Sequence, residues 1–340
     1  MAMTLSPSGK RDFDVVLILS GGNALGAFEA GVYEALHGHG LFPDWIIGAS
    51  IGAINGALIA GSPVDQRIAA LHAFWRPDSH GSEEQSAWIP PPIEDMRRTA
   101  AVNRTLLSGR PGIFGPLLSS LMPWSACQTS LFETDQLAAT LERMVDFDLL
   151  NEGACRFTAT AVDLATGDDV VFDSTSERIQ AQHVRASAAL PVTFPPVEVD
   201  GRWLVDGGLS ANLPLDPFFA APPPRPVLCI AVDLLPLSQP LPRTIGEAAS
   251  RMQDLIFAAQ SRRTIARWQA IYASRTEVSI ALVRLAYAGQ ESEVAGKAMD
   301  FSGLTVRQRW SSGHLAASGV LARIESGALP IGAPGLNIFN

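Results

Sequence analysis

What this chain has little of narrows it first. Only three of its 340 residues are cysteine. Cys127, Cys155 and Cys229 lie far apart, and an odd count without paired spacing excludes a disulfide framework and a CxxC metal site. Charge is sparse and skewed. Charged residues make up 17% of the chain, 25 basic against 34 acidic, for a formal net charge of -9. That balance argues against nucleic acid as a partner, because phosphate binding is mostly the work of Lys and Arg. Long apolar runs are missing as well. No stretch approaches the roughly 18 to 20 apolar residues that a membrane-crossing helix needs. The start of the chain is polar, and its first apolar run is too short for a secretory core. A cytoplasmic protein is expected, with peripheral contact at the inner membrane surface left open. Bulk disorder is excluded, since 47% of the residues are hydrophobic.

What is there is patterned. Residues 1–12 read as a flexible leader. Residues 15–19 (VVLIL) are a continuous apolar run, as in a strand buried on both faces of a parallel sheet. A Gly-rich loop and a helical pattern follow. Residues 45–48 repeat the strand signal, and residues 51–60 (IGAINGALIA) read as a buried helix of small residues. Two strand–turn–helix units in 60 residues predict an α/β fold. Helical spacing returns at 62–75 and 131–145. Between them, residues 86–130 lose periodicity at Pro90, Pro91 and Pro92, yet collect apolar side chains such as Ile113, Phe114, Leu121 and Trp124. A loop that long is usually functional or disordered, and it reads either as a cap over a site or as a peripheral helix.

Alternation at 155–163 and 169–173, and at 197–199 and 203–205 around Asp200 and Gly201, predicts hairpins. Residues 176–189 look helical, and 227–232 (VLCIAV) predict another buried strand. Past residue 240, Thr244 with Glu247 fits a capping box at the head of a long helix. One strand at 277–287 and a last helix at 303–325 complete the pattern. The expected organisation is a catalytic domain over 13–235 and a mainly helical extension over 236–340.

Three motifs carry chemistry. Gly48-Ala49-Ser50-Ile51-Gly52 is a GxSxG between a strand and a helix. A nucleophilic serine must project from a sharp turn, and small neighbours two positions away let the chain bend. The following helix aims its N-terminus at developing negative charge. Ser20-Gly21-Gly22-Asn23-Ala24-Leu25-Gly26 also follows a strand and opens a helix, so its backbone N–H groups can face an anion. Gly21 and Gly26 have P-loop spacing, but Ala27 and Phe28 stand where Lys and Ser/Thr are needed. Asn23 stands where a dinucleotide fingerprint needs glycine. The oxyanion of an acyl-transfer intermediate, which asks for one or two N–H donors, remains, and the GxSxG selects it. The third motif, Asp206-Gly207-Gly208, ends a strand with a carboxylate beside two glycines. His314 follows Asp206 in the order of a Ser–Asp–His triad, but it sits in a distal helix.

These motifs in this order resemble the patatin-like phospholipase family over residues 13–235. The segments 28–36 (FEAGVYEAL), 146–151 (DFDLLN), 186–191 (ASAALP) and 206–214 (DGGLSANLP) share the likeness. The resemblance implies a three-layer α/β/α sandwich with a mostly parallel sheet, and hydrolysis of lipid or other acyl esters without metal or cofactor. It implies Ser50 as nucleophile, Asp206 as base, and an oxyanion loop at Gly21, Gly22 and Asn23. Gly26, Gly48, Gly52, Gly207 and Gly208 support it. Residues 240–325, with Asp300-Phe301-Ser302 and Arg309-Trp310, resemble the extra region of a bacterial branch. Two positions depart from the family pattern: Asn23 replaces a third glycine, and Leu25 replaces an Arg or Lys. Those departures motivate an alternative, a catalytically weak or silent module that binds lipid or protein.

Overall fold

Alternate residues of the first strand face opposite sides, and both sides are dry. Val15, Leu17 and Leu19 belong to one buried core, Val16 and Ile18 to another. A strand apolar on both faces needs helices above and below it. The computed structural model describes residues 11–75, 90–117, 129–290 and 293–340. Most of the expected leader, Cys127, and the 86–89 and 118–128 parts of the expected cap lie outside the described residues.

The chain opens with β1 (Asp14–Leu19), a 3-10 turn (Asn23–Gly26) and α1 (Ala27–Gly38). Then come β2 (Trp45–Ala49), α2 (Ile51–Ala60), α3 (Arg67–Trp75), α4 (Pro91–Ser108), α5 (Asp135–Met144) and α6 (Phe147–Glu152). Next are β3 (Arg156–Asp163), β4 (Asp169–Asp173), α7 (Ala181–Ser187), β5 (Val197–Val199) and β6 (Arg202–Asp206). Short helices α8 (Gly208–Ala211) and α9 (Asp216–Ala220) lead to β7 (Val227–Asp233). Last come α10 (Ile245–Tyr272), β8 (Ser279–Ala286), α11 (Gly303–Glu325) and β9 (Gly335–Phe339).

One sheet runs in the order β5-β6-β3-β2-β1-β7-β8-β9, with β4 also paired to β3. The stretch from β3 to β9 is parallel, and β4, β5 and β6 join antiparallel. Phe28, Val32, Leu58 and Trp310, from α1, α2 and α11, cover one face. Phe218, Phe219 and Tyr272, from α9 and α10, cover the other. The fold is a three-layer α/β/α sandwich with a mostly parallel sheet.

Two elements escape the sequence pattern for physical reasons. The three prolines at 90–92 do not break structure; they start α4, with proline at the first helical positions. There the missing N–H is one that a helix leaves unpaired anyway. Three of the four buried residues of α4 are polar, Glu94, Arg98 and Thr105, with Val102 the fourth, so no apolar stripe marks it. β9 is half-buried throughout and gives neither a buried run nor an alternation. The sheet itself continues across residue 235, because β8 pairs with β7 and β9 with β8.

The C-terminal helix is locked to the first one by two glycines. A Cβ at Gly31 would lie 1.9 Å from the Trp310 carbonyl oxygen, and one at Gly313 would lie 2.0 Å from that of Phe28. Backbone meets backbone at this crossing, so even a methyl group must push the helices apart. Gly313→Ala should therefore destabilise the protein by about 1–3 kcal/mol, the usual cost of overpacking, measured as a lower midpoint in thermal or urea unfolding. An unchanged midpoint would mean that the crossing is looser than described.

Candidate active site

Parallel neighbours end at the same edge of a sheet, so the loops after β1 and β2 must meet. Ser50 follows β2 and takes φ 56 and ψ -124, a positive φ that side chains rarely adopt. Its carbonyl accepts from Ala53 and Ile54 at the start of α2. The turn is tight enough that a Cβ at Gly52 would lie 2.3 Å from the Leu19 carbonyl oxygen. Gly48 is equally confined, by the backbone of Gly52 itself.

Register brings the carboxylate across. On β3, Thr160 pairs with Ala49 and Ala161 with Asp206. The residue after Ala49 therefore arrives beside the strand position that also holds Asp206. The C-terminal end of α7 secures both: the Ser50 N–H donates to the Ser187 carbonyl and the Asp206 N–H to that of Ala189. The Ser187 hydroxyl also accepts from the Ser50 N–H, at 3.1 Å. The two side chains line one cavity, with the Ser50 hydroxyl near enough to the Asp206 carboxylate to favour its charged form. Asp206 is only 3% exposed, and the Gly208 N–H donates to its Oδ1 at 2.7 Å. Burial pushes its pKa up to about 6, against the lowering effect of those two groups. Gly207 sits directly over the Thr160 carbonyl.

The Gly-rich loop lies against the serine. Asn23 takes φ 52, a conformation that asparagine adopts more readily than most residues, so its place in the glycine position is sterically met. Gly21 differs from expectation. Its N–H donates to the Asn212 carbonyl at 3.0 Å, so it is not a spare donor. Among the described residues no protein group accepts from the N–H of Gly22 or Asn23. The Leu25 N–H closes the turn on the Gly22 carbonyl, and Gly26 ends it against Ile51. Asn212 also donates its side-chain Nδ2 to the Gly21 carbonyl at 3.1 Å.

Ser50, Asp206 and residues 21–23 line a cavity of about 500 Å³. Ile54, Leu106, Ile113, Leu137, Leu190 and Phe194 make one side of it apolar. Phe114, expected beside Ile113, is instead fully packed in the core. Among the described residues no histidine lines the cavity. His314 meets only Ser318 of its own helix, and His183 caps α7 by accepting from the Gln180 N–H.

A family model described as patatin-like phospholipase matches residues 17–219, more than half of the chain. The chain belongs to the patatin-like phospholipase family. A second model, described as patatin phospholipase, matches residues 243–330. Among curated proteins, an uncharacterized NTE family protein of Mycobacterium tuberculosis, Rv2565, is 29% identical over 58% of this chain and 27% of its own length. Another from that organism, Rv1063c, is 27% identical over 60% and 45%. A patatin-like phospholipase domain-containing protein of Caenorhabditis elegans is 25% identical over 59% and 12%. The matched stretch is thus less than half the length of each relative. Among solved structures, VipD from Legionella pneumophila superposes with a TM-score of 0.42 at 14% identity, covering 94% of this chain and 69% of that one. The type III effector ExoU gives 0.42 at 13% identity, over 92% and 53%. Superpositions that partial carry no argument about this chain.

In this member of the family the C-terminal region reaches the loop itself. Arg309 of α11 is fully buried. Its Nη1 donates to the carbonyls of Ala24 and Asp300, both at 2.9 Å, and its Nη2 to the Lys297 carbonyl. Glu293 holds the guanidinium through two bonds, and Arg98 of α4 holds Glu293. The motif lacks a cation at Leu25, whose side chain is buried; a guanidinium from 285 residues away sits on the neighbouring carbonyl. Sequence reading missed Ser187, Asn212 and Arg309. All three lie within likeness segments, but only tertiary contact assigns their bonds.

The serine–carboxylate contact is open to direct measurement. Removing the donor in Ser50→Ala should raise the Asp206 pKa further above about 6, since a hydrogen bond to the charged form is lost. Carbon-13 NMR of the aspartate carboxyls reads this. An unchanged or lowered value would show that the hydroxyl does not donate to Asp206.

Proposed function

We propose that this chain is a serine hydrolase of acyl esters, with Ser50 as nucleophile and Asp206 as its base, acting on lipid substrates. The observation that carries the reading is a serine hydroxyl beside a carboxylate buried at the end of β6, both lining one cavity. A base works best with a pKa near the operating pH, and burial lifts that of Asp206 to about 6. Asp206 takes the proton as the Ser50 oxygen attacks the ester carbonyl. The N–H groups of Gly22 and Asn23, both without protein acceptors among the described residues, receive the oxyanion. The proton passes to the departing alcohol as the carbon–oxygen bond breaks, leaving an acyl-serine. Asp206 then deprotonates a water that attacks the acyl carbon, and the acid leaves with Ser50 restored.

Several features support lipid esters as the substrate class. The family is one of phospholipases. The cavity beside Ser50 is walled on one side by aliphatic and aromatic groups, which suit an acyl chain and exclude water. Asn212 and Arg309 act through the loop: the first ties Gly21 at both ends, and the second anchors the Ala24 carbonyl. Both keep the Gly22 and Asn23 donors aimed at one point.

Ser50→Ala should abolish turnover of p-nitrophenyl esters, and Asp206→Asn should nearly do so. Retained turnover in either variant would end the assignment. In the parent protein the rate should rise with pH through about 6 and level off above it, because only the ionised carboxylate can accept the proton. A rate that falls across that range would contradict the role of Asp206. A fluorophosphonate probe should label Ser50 in the parent protein. A chain that only binds lipid or protein would leave the probe unreacted.

A further inference from the structure

The first turns of α10 carry apolar side chains that the described residues leave exposed. Ile245 is 91% exposed, Met252 60% and Ile256 52%, and Leu241 just before the helix is 88% exposed. Residues 245, 252 and 256 are seven and four apart, so they share one stripe of the helix. The adjoining stripe of the same turns, Gly246, Ala249, Gln253 and Phe257, lines the cavity that holds Ser50. One helix thus shows an apolar face to solvent and, a quarter turn away, a wall of the reaction cavity.

The same pairing recurs on the other wall. α4 lines the cavity with Val102, Asn103 and Leu106, and beside them Leu107 and Met96 are largely exposed. Both walls therefore leave exposed apolar groups beside the cavity they form. Residues 241–249 are all exposed, so the start of α10 projects from the surface. A projecting apolar helix end suits insertion between lipids better than a flat contact with another protein. Arg262 and Arg263 are exposed further along α10. They lie six and seven residues beyond Ile256, or about 9–10 Å along a helix axis. With the N-terminal turns among the acyl chains, they come to the level of the headgroups.

We propose that the start of α10, through Ile245, Met252 and Ile256, docks this chain on a lipid bilayer by apolar insertion, and that lipid enters the cavity along the α10 wall. The docking stands on exposure and on continuity with the cavity. It rests on the hydrolase reading only for what happens to the lipid afterwards.

The test uses the full chain and a triple variant, Ile245→Ser with Met252→Ser and Ile256→Ser. None of these side chains lines the cavity. Cosedimentation is measured with vesicles of phosphatidylcholine, and of phosphatidylcholine mixed with phosphatidylglycerol. The parent should bind both kinds, and each serine should weaken binding by at least about tenfold, as expected for withdrawing a large apolar group from a lipid phase. Hydrolysis of vesicle phospholipid should fall in step, while turnover of p-nitrophenyl butyrate stays at the parental rate. As a second measurement, Ile245→Trp should be quenched by brominated phosphatidylcholine beyond the parental signal.

Equal vesicle binding by parent and triple variant would overturn the proposal. So would binding that requires phosphatidylglycerol and survives the serines, which would be electrostatic. A dimer that the serines dissociate in sedimentation velocity, with no vesicle binding by the parent, would make the stripe a contact between copies and would also overturn it. The two readings fail separately. Vesicle binding through the stripe without turnover of any soluble ester sinks the hydrolase and leaves the docking. Turnover of soluble esters with binding indifferent to the stripe does the reverse.

Discussion

A carboxylate kept out of water beside a serine hydroxyl is the constraint on which the rest of this molecule turns. An ionised group in a low-dielectric site is costly unless donors face it; the Gly208 N–H donates to Asp206, and the Ser50 hydroxyl lies beside it. They do not fully offset its burial, so its proton affinity is raised. The site therefore needs rigid surroundings, because a carboxylate free to swing into water would lose the shift and the contact together. The sheet supplies them. β3 is paired on one side with the strand before Ser50 and on the other with the strand that ends at Asp206. The end of α7 takes a backbone N–H from both residues.

The Gly-rich loop shows how donors are made available by removing alternatives. A backbone N–H in a folded protein is usually paired, and the loop spends that of Gly21 on Asn212 and that of Leu25 on Gly22. Among the described residues, the N–H groups left open are those of Gly22 and Asn23, beside the serine. Their direction depends on the shape of a four-residue turn, and that shape is held from outside by Arg309 through the Ala24 carbonyl. A buried guanidinium is stable only among fixed partners. Glu293 and the carbonyls of Ala24, Lys297 and Asp300 serve that role here.

The C-terminal region is thereby more than an appendage. It adds two strands to the sheet, packs α11 on α1 through two glycines, and sends one side chain to the loop. α10 forms a wall of the cavity. Charge is concentrated where α4, α11 and residues 293–300 meet: Glu94, Arg97, Arg98, Glu293, Asp300 and Arg309 form a continuous set of ion pairs and hydrogen bonds. In a chain with few charges, that concentration marks the region as built for a fixed geometry.

Local pattern by itself determined much of this. Apolar runs of strand length, the small-residue helix at 51–60, and glycines flanking Ser50 and Asp206 are legible because they reflect constraints within a few residues: burial on both faces, a tight bend, a turn. They specify an α/β fold and name the two polar side chains that meet. The rest depends on separations of dozens to hundreds of residues. Nothing near Arg309 says that its partner is the carbonyl of Ala24, and nothing near Gly21 says that its N–H is taken by Asn212. The polar buried face of α4 and the half-buried β9 leave no periodic trace. Strand register decided that residues 50 and 206 come side by side, and packing decided which amides stay unpaired among the described residues, because both follow from where distant segments come to rest.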